Sequence, residues 1–180
     1  MSDPLLVVDM QNGFINDFTQ HITGRIIKLI ESGKYDPILF TQFINTPGSP
    51  FRDYVGWDGC ATEPDTLIVS ELTEYVTSDR LYSKSGLAGL PDPLREYFAT
   101  GNFEQAVIVG VDTDMCVLKM ALDVFDLGVR PIVLVDCCAS TAGLQSHLAG
   151  LAVLARNIGA DQLRDAGLSG GRLAAPLERQ

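Results

Sequence analysis

Short apolar runs alternate with amphipathic stretches along this chain. The apolar runs have the length and composition of buried strands and cover residues 5–8, 37–41, 106–109 and 131–135, with a weaker run at 81–82. Apolar positions recur at helical spacing over residues 22–32, 93–100, 116–127 and 143–157. This alternation predicts an α/β fold, a three-layer sandwich in which a mainly parallel sheet of about six strands carries helices on both faces.

The length predicts one domain. The chain has 180 residues, and no repeat or linker divides it. Residues 167–180 are rich in Gly and Ala, which predicts a frayed tail. The apolar runs are too short to span a bilayer and the N-terminus lacks the basic region of a signal peptide, so the expected location is the cytoplasm.

Charge and cysteine content narrow the range of partners. A formal net charge of −10 argues against nucleic acid and anionic membranes as the main partner. The four cysteines lack the spacing of a zinc site, and in a reducing compartment all four are expected to be free thiols.

The predicted helix 143–157 is apolar around most of its circumference and contains no acidic residue. Such a helix needs burial on more than one face, either deep inside one chain or at a subunit interface. We favour the interface, and therefore a homo-oligomer, a dimer or tetramer formed through this helix.

Cys116 lies where an apolar run, broken by Gly110, passes into a helical pattern. The positive end of a helix dipole favours a thiolate, the nucleophilic form of cysteine. The alternative is a small buried hydrophobe, which is the commoner role of a free cysteine.

Two more polar residues follow predicted strands. Asp9 ends the first strand, and Lys84 comes shortly after the weak strand at 81–82. Taken singly, an Asp in this position is usually a cap or turn former, and a Lys is usually a solvated charge. Because the carboxyl ends of parallel strands meet at one edge of a sheet, we expect both side chains to converge on Cys116.

The chain resembles the isochorismatase-like cysteine hydrolases, which include nicotinamidases, N-carbamoylsarcosine amidases and ureidoacrylate hydrolases. The resemblance extends over about residues 4–160 and rests on several blocks in the family's order. These blocks are Asp9-x-Gln11-x-x-Phe14, Ser83-Lys84-Ser85, Gly110-Val111-Asp112-Thr113-Asp114-Met115-Cys116-Val117, and Asp136-x-x-Ala139-Ser140-Thr141 followed by His147.

The resemblance implies a catalytic triad of Asp9, Lys84 and Cys116. In this family the thiolate attacks an amide, carbamoyl or ureido carbonyl, and the C–N bond is cleaved through a thioester intermediate, so the expected partner is a small-molecule substrate. The resemblance also implies an oxyanion hole made by the backbone N–H groups of Asp112 and Cys116, and a cis peptide bond between Val111 and Asp112.

The resemblance further suggests which residues contact substrate. The loop 45–64, rich in Pro and Gly, carries Phe51, Tyr54 and Trp57, which either wall a pocket or anchor the loop. We expect substrate contacts from Gln11, Phe14, Phe51 and Trp57. The roles of Arg52, Lys119 and His147 stay open, and the Asp112 side chain either faces the pocket or braces its turn.

No metal or cofactor is expected. Metal-dependent nicotinamidases carry an Asp-x-His and a further His after the second strand, and residues 41–46 of this chain contain no histidine. Nicotinamide is accordingly a less favoured substrate.

Other functions compete with the metal-independent hydrolase. Isochorismatases of the same fold hydrolyse a vinyl ether with the aspartate and without the cysteine. A non-catalytic relative would bind a metabolite or a partner through the apolar helix and the aromatic loop. A thiol-redox protein is a third alternative, although the chain has no Cys-x-x-Cys.

Overall fold

The computed structural model describes residues 2–87 and 89–168. Six strands form one sheet in the order β3-β2-β1-β4-β5-β6, and every neighbouring pair is parallel. The strands are β1 (Asp3–Val8), β2 (Tyr35–Phe43), β3 (Leu81–Lys84), β4 (Gln105–Val111), β5 (Arg130–Ala139) and β6 (Leu163–Arg164). The predicted parallel α/β sheet is confirmed.

Four α-helices connect these strands and lie on both faces of the sheet. They are α1 (Thr23–Glu31), α2 (Asp92–Thr100), α3 (Cys116–Asp126) and α4 (Leu144–Ile158). All four fall on the segments where the apolar spacing predicts helices. No helix in the described ranges is long and apolar enough to cross a membrane.

Alternate side chains of the central strand β1 point into two separate cores. Leu5 and Val7 pack in the core that contains the buried face of α1. Leu6 and Val8 pack in the core formed with α2, α3 and α4. A strand buried on both faces has no polar alternation, which is why β1 appears in the sequence as a continuous apolar run.

Gly110 allows β4 to lie close against β1. Its φ is +116°, and a Cβ at this position would lie 2.2 Å from the carbonyl oxygen of Val8. Only glycine combines this backbone conformation with so close an approach. Gly110, which interrupts the apolar run in the sequence, is thus required for packing inside β4, and the strand continues past it.

The structure differs from the prediction at the ends of elements. β2 continues two residues past the predicted end at residue 41, and the two-residue β6 was not predicted. β6 is too short to produce an alternating pattern. The predicted frayed tail falls mostly on residues 169–180, which lie outside the described residues.

Helix α4 buries one side and exposes another. Gly150, Leu154 and Ile158 are buried, whereas Leu144 and Leu148 are 68% and 54% exposed. Within residues 2–87 and 89–168, nothing buries the second face, which is the arrangement expected of a helix at a subunit interface. The homo-oligomer stays a prediction.

Candidate active site

Three polar residues lie at the carboxyl edge of the sheet, where the sequence predicts a site. Asp9 directly follows β1, Lys84 is the last residue of β3, and Cys116 begins α3 after the turn that follows β4. Asp9 has a φ of +49°, a conformation that Asp tolerates better than most residues. The sheet order places β1 beside β4 and one strand away from β3, so the three side chains can meet.

The Lys84 ammonium contacts both other groups. Its Nζ lies 2.7 Å from Oδ2 of Asp9 and donates a hydrogen bond to Sγ of Cys116 at 3.2 Å. The side chains of Lys84 and Asp9 are 0% and 1% exposed. Burial disfavours the charge on Lys84, but Asp9 and Cys116 outweigh this and raise the pKa of the ammonium. A buried, charged lysine therefore joins the carboxylate to the sulfur.

Thr41, which sequence reasoning missed, holds the aspartate from the opposite side. Its hydroxyl donates to Oδ1 of Asp9 at 2.6 Å and accepts from the backbone N–H of Asp9 at 3.2 Å. Thr41 is fully buried in β2, which pairs directly with β1. One carboxylate oxygen thus binds Thr41, and the other faces Lys84.

The resting state of the cysteine differs from the expectation of a thiolate. Burial, followed by the proximity of Asp9, raises the pKa of the Cys116 thiol to about 12, while Lys84 acts in the opposite direction. The ion pair with Asp9 balances the charge of Lys84, so a thiolate would add an uncompensated charge to a buried site. Cys116 consequently rests as a thiol next to an acceptor for its proton.

The turn before Cys116 presents unused hydrogen-bond donors. The N–H groups of Thr113, Met115 and Val117 bond backbone carbonyls, whereas those of Asp112 and Cys116 bond no acceptor among the described residues. The peptide bond between Val111 and Asp112 is cis. The two donors are the groups that the resemblance assigns to an oxyanion hole.

The Asp112 carboxylate braces this turn. It accepts from the backbone N–H of Thr141 at 2.6 Å and from the hydroxyl of the same residue at 2.7 Å. Burial raises the pKa of Asp112, although both bonds from Thr141 oppose the shift. These contacts fit the bracing role, and Asp112 also lines the cavity above Cys116.

The three residues whose roles stayed open make contacts outside the cysteine cluster. The ring Nδ1 of His147 lies 2.8 Å from the hydroxyl of Thr113, and burial, followed by His21, lowers the pKa of His147. Lys119 forms an ion pair with Asp123, one helical turn along α3. The Nε of Arg52 lies 3.8 Å from a carboxylate oxygen of Asp58.

A cavity of about 360 Å³ opens above Cys116. Three of the four residues expected to contact substrate line it: Phe14, Phe51 and Trp57. Phe43, the last residue of β2, also lines it and was missed because the predicted strand ended too early. The other lining residues are Asp9, Gly13, Asn16, Val55, Val111, Asp112, Met115, Cys116 and Thr141.

The buried Asn45 shapes the loop that carries two of these rings. Its side-chain amide donates to the carbonyls of Trp57 and Gly59 at 2.9 and 3.0 Å, and its Oδ1 accepts from Ser49. Tyr54 in the same loop points outward and is 86% exposed. The loop therefore forms a wall of the cavity with Phe51 and Trp57 and leaves Tyr54 in solvent.

Gln11 does not line the cavity, contrary to expectation. Its side chain is fully buried, with Nε2 donating to the carbonyls of Phe43 and Thr66 and Oε1 accepting from the N–H of Phe43. These three hydrogen bonds use both polar atoms of the amide. Such pairing is expected, since an unpaired polar group is costly in a protein interior. Gln11 fixes the end of β2 and has no free atom for a substrate.

The described residues do not fit the metal site of the metal-dependent nicotinamidases. Residues 41–46 supply no imidazole, and residues 2–87 and 89–168 contain no group of three or more His, Cys, Asp or Glu side chains arranged to hold a metal ion.

Cys116 should be the thiol that iodoacetamide alkylates first, because Cys60, Cys137 and Cys138 are buried. Since its pKa of about 12 leaves it protonated at neutral pH, the alkylation rate constant should rise about tenfold per pH unit between about pH 6 and 9. Peptide mass spectrometry at timed intervals measures which thiol is alkylated first and the rate constant of its alkylation at each pH. Equal rates at all four thiols, or a plateau near neutral pH, would contradict this assignment.

Solved structures share this fold. The N-carbamoylsarcosine amidase of Thermoplasma acidophilum superposes with a TM-score of 0.73 at 22% identity, over 95% of this chain and 100% of that one. A nicotinamidase from Staphylococcus aureus superposes with a TM-score of 0.66 at 24% identity, over 93% and 99% of the two chains. At such identities the likeness is one of fold.

Sequence comparison identifies the family. Isochorismatase domain-containing protein 2 of Rattus norvegicus is 32% identical over 77 residues, which are 43% of this chain and 35% of that protein. Its Bos taurus counterpart is 36% identical over 59 residues, 33% of this chain and 29% of that protein. The matched segments thus span about a third of those relatives. A family model of the isochorismatase domain matches residues 4–164, and the chain therefore belongs to the isochorismatase family of hydrolases.

Proposed function

We propose that this protein is a metal-independent cysteine hydrolase that cleaves the C–N bond of a small amide, carbamoyl or ureido compound. The observation that carries the proposal is the buried contact of Lys84 with both Asp9 and Cys116 at the floor of a cavity. A nucleophile, a proton acceptor and a stabilising cation are the groups that this reaction needs.

In the first half of the reaction, Asp9 accepts the thiol proton as Sγ of Cys116 attacks the substrate carbonyl carbon. Lys84 stabilises the negative charge as this charge shifts from the carboxylate to the sulfur and then to the substrate oxygen. The resulting oxyanion accepts hydrogen bonds from the N–H groups of Asp112 and Cys116. When the C–N bond breaks, the protonated Asp9 donates its proton to the leaving nitrogen.

In the second half, water hydrolyses the thioester. Asp9, again a carboxylate, takes a proton from this water as the oxygen attacks the thioester carbonyl. Collapse of the second tetrahedral intermediate breaks the C–S bond and releases the acid. The sulfur recovers its proton from Asp9, and the starting state returns.

An isochorismatase-type vinyl ether hydrolase is the alternative within the family. Such a reaction needs the aspartate as an acid and makes no use of a sulfur. The hydrogen bond from Lys84 to Cys116 favours the cysteine mechanism, because a vinyl ether hydrolase needs no cation beside a thiol. A non-catalytic relative would not need the proton acceptor beside that thiol.

Removal of either the nucleophile or the proton acceptor should nearly abolish hydrolysis. Cys116→Ala and Asp9→Asn should each lower kcat by at least about 10³-fold, since residues of one catalytic unit are individually indispensable. Ammonia release from a panel of small amides and ureides measures the effect. Cys60→Ser, which alters a buried thiol that does not line the cavity, is the matched control and should retain activity.

Hydrolysis that continues undiminished in Cys116→Ala would contradict the assignment of the nucleophile. Asp9→Asn leaves the Lys84 charge buried without its partner, a change that typically costs about 3–5 kcal/mol of stability. Thermal unfolding of each variant separates such destabilisation from a loss of chemistry.

Thr41 is proposed as the positioning residue of Asp9. Thr41→Val keeps the shape but removes the hydroxyl, so kcat should fall about tenfold with little change in KM, in line with a hydrogen bond to a charged group. Thr41→Ser keeps the hydroxyl and should restore most of the rate. Equal kcat values for the two variants would show that the hydroxyl does not act on Asp9.

A further inference from the structure

The turn 112–116 is held in place by groups outside the cysteine cluster. The N–H of Thr113 donates to the carbonyl of Ala139 at 2.9 Å, and the Asp112 carboxylate binds Thr141. Both partners belong to the end of β5 or to the segment that follows it. Because the two unused N–H groups of this turn can stabilise an oxyanion only from fixed positions, the contacts that fix the turn also affect the reaction.

Helix α4 packs directly on the backbone of this turn. Gly150 is buried, and a Cβ at its position would lie 2.8 Å from both N and Cα of Asp114 and 2.9 Å from the carbonyl carbon of Thr113. Such distances leave no room for a side chain between the helix and the turn. The position of α4 and the position of the turn are therefore linked.

His147 adds a polar contact between the same two elements. It lies about one helical turn before Gly150 and so shares its face of α4. Its ring Nδ1 is 2.8 Å from the hydroxyl of Thr113, a residue that is fully buried. Within residues 2–87 and 89–168 this hydroxyl has no other hydrogen-bond partner. Since an unpaired hydroxyl is costly in a protein interior, Thr113 depends on His147 for its pairing.

The contact is a hydrogen bond between neutral groups. Burial, followed by the proximity of His21, lowers the pKa of the His147 imidazole, while Asp114 acts in the opposite direction. The ring is therefore uncharged at neutral pH, and its Nδ1 can donate to the Thr113 hydroxyl or accept from it. His147 thus acts on the turn by fixing its position and not by adding a charge.

We propose that His147 is a positioning residue of the reaction, which acts through Thr113 on the turn that carries the oxyanion donors. The proposal rests on the proposed hydrolase function and adds a residue of α4 to it. Loss of the contact would let the turn shift and would move its N–H groups away from the oxyanion. The ion pair of Lys84 with Asp9 would stay, because neither residue belongs to the turn.

Two substitutions of His147 test this role. His147→Leu removes the ring nitrogen, and kcat should fall about tenfold at nearly constant KM, less than the loss of about 10²–10³ that follows removal of a whole oxyanion donor. His147→Asn places a polar atom where Nδ1 lies and should restore most of the rate. Gln145→Ala, on the exposed side of α4, is the control and should retain kcat. Equal kcat values for the Leu and Asn variants would overturn the proposal.

A double substitution tests whether His147 acts through Thr113. Thr113→Val keeps the shape of the side chain and removes its hydroxyl, so it should lower kcat about as much as His147→Leu does. The two changes together should lower kcat no further, because each removes the same hydrogen bond. Losses that multiply in the double variant would show that the two side chains act independently and would overturn the proposal.

Protection of Cys116 by propanal separates this inference from the proposed function. The sulfur adds to the aldehyde carbon, the thiol proton passes to Asp9 or to the former carbonyl oxygen, and that oxygen accepts hydrogen bonds from the turn. The propanal concentration that halves alkylation by iodoacetamide should therefore rise about tenfold in His147→Leu. Alkylation without aldehyde, which forms no oxyanion, should keep its rate.

The outcomes of this experiment differ for the two proposals. Weaker protection in His147→Leu, in a protein that hydrolyses no amide, would support the positioning role and contradict the hydrolase. Amide hydrolysis with an unchanged kcat in His147→Leu would support the hydrolase and overturn the positioning role. An equal change in alkylation without aldehyde would place the effect on the sulfur and would also overturn it.

Discussion

The buried ammonium of Lys84 is the interaction on which the rest of the site depends. It contacts the Asp9 carboxylate at 2.7 Å and the Cys116 sulfur at 3.2 Å, and its own side chain is fully shielded from solvent. Without this cation, a carboxylate and a sulfur that acquires charge would lie together in a region that solvates neither. The lysine therefore offers a compensating positive charge both to the carboxylate and to the sulfur.

The parallel sheet makes this contact possible. Residues 9, 84 and 116 are far apart in the chain, but each follows or ends a strand whose carboxyl end lies at the same edge. Gly110 brings β4 close to β1, and Thr41 reaches Asp9 from the neighbouring strand β2. The strand pairing that forms the sheet thus also sets the distances among the reacting groups.

Local patterns predicted the elements and the three clustered residues, because buried parallel strands are apolar throughout and their ends are punctuated by polar residues. Local patterns could not predict contacts between residues that lie far apart in the sequence. Gln11 is a structural residue because it meets Phe43 and Thr66, which lie 32 and 55 residues away. The thiol rests protonated because burial and Asp9 outweigh Lys84, a balance that only the packed site determines.

The most direct measurement is a crystal structure of the protein with a small aldehyde, whose carbonyl can accept the sulfur but has no leaving group. The account predicts a covalent bond from Sγ of Cys116 to the carbonyl carbon, with the thiol proton transferred to Asp9 or to the former carbonyl oxygen. That oxygen should lie about 3 Å from the N–H groups of Asp112 and Cys116, with Lys84 still beside Asp9. An aldehyde bound to another thiol, or held in the cavity with its carbonyl turned away from Cys116, would contradict it.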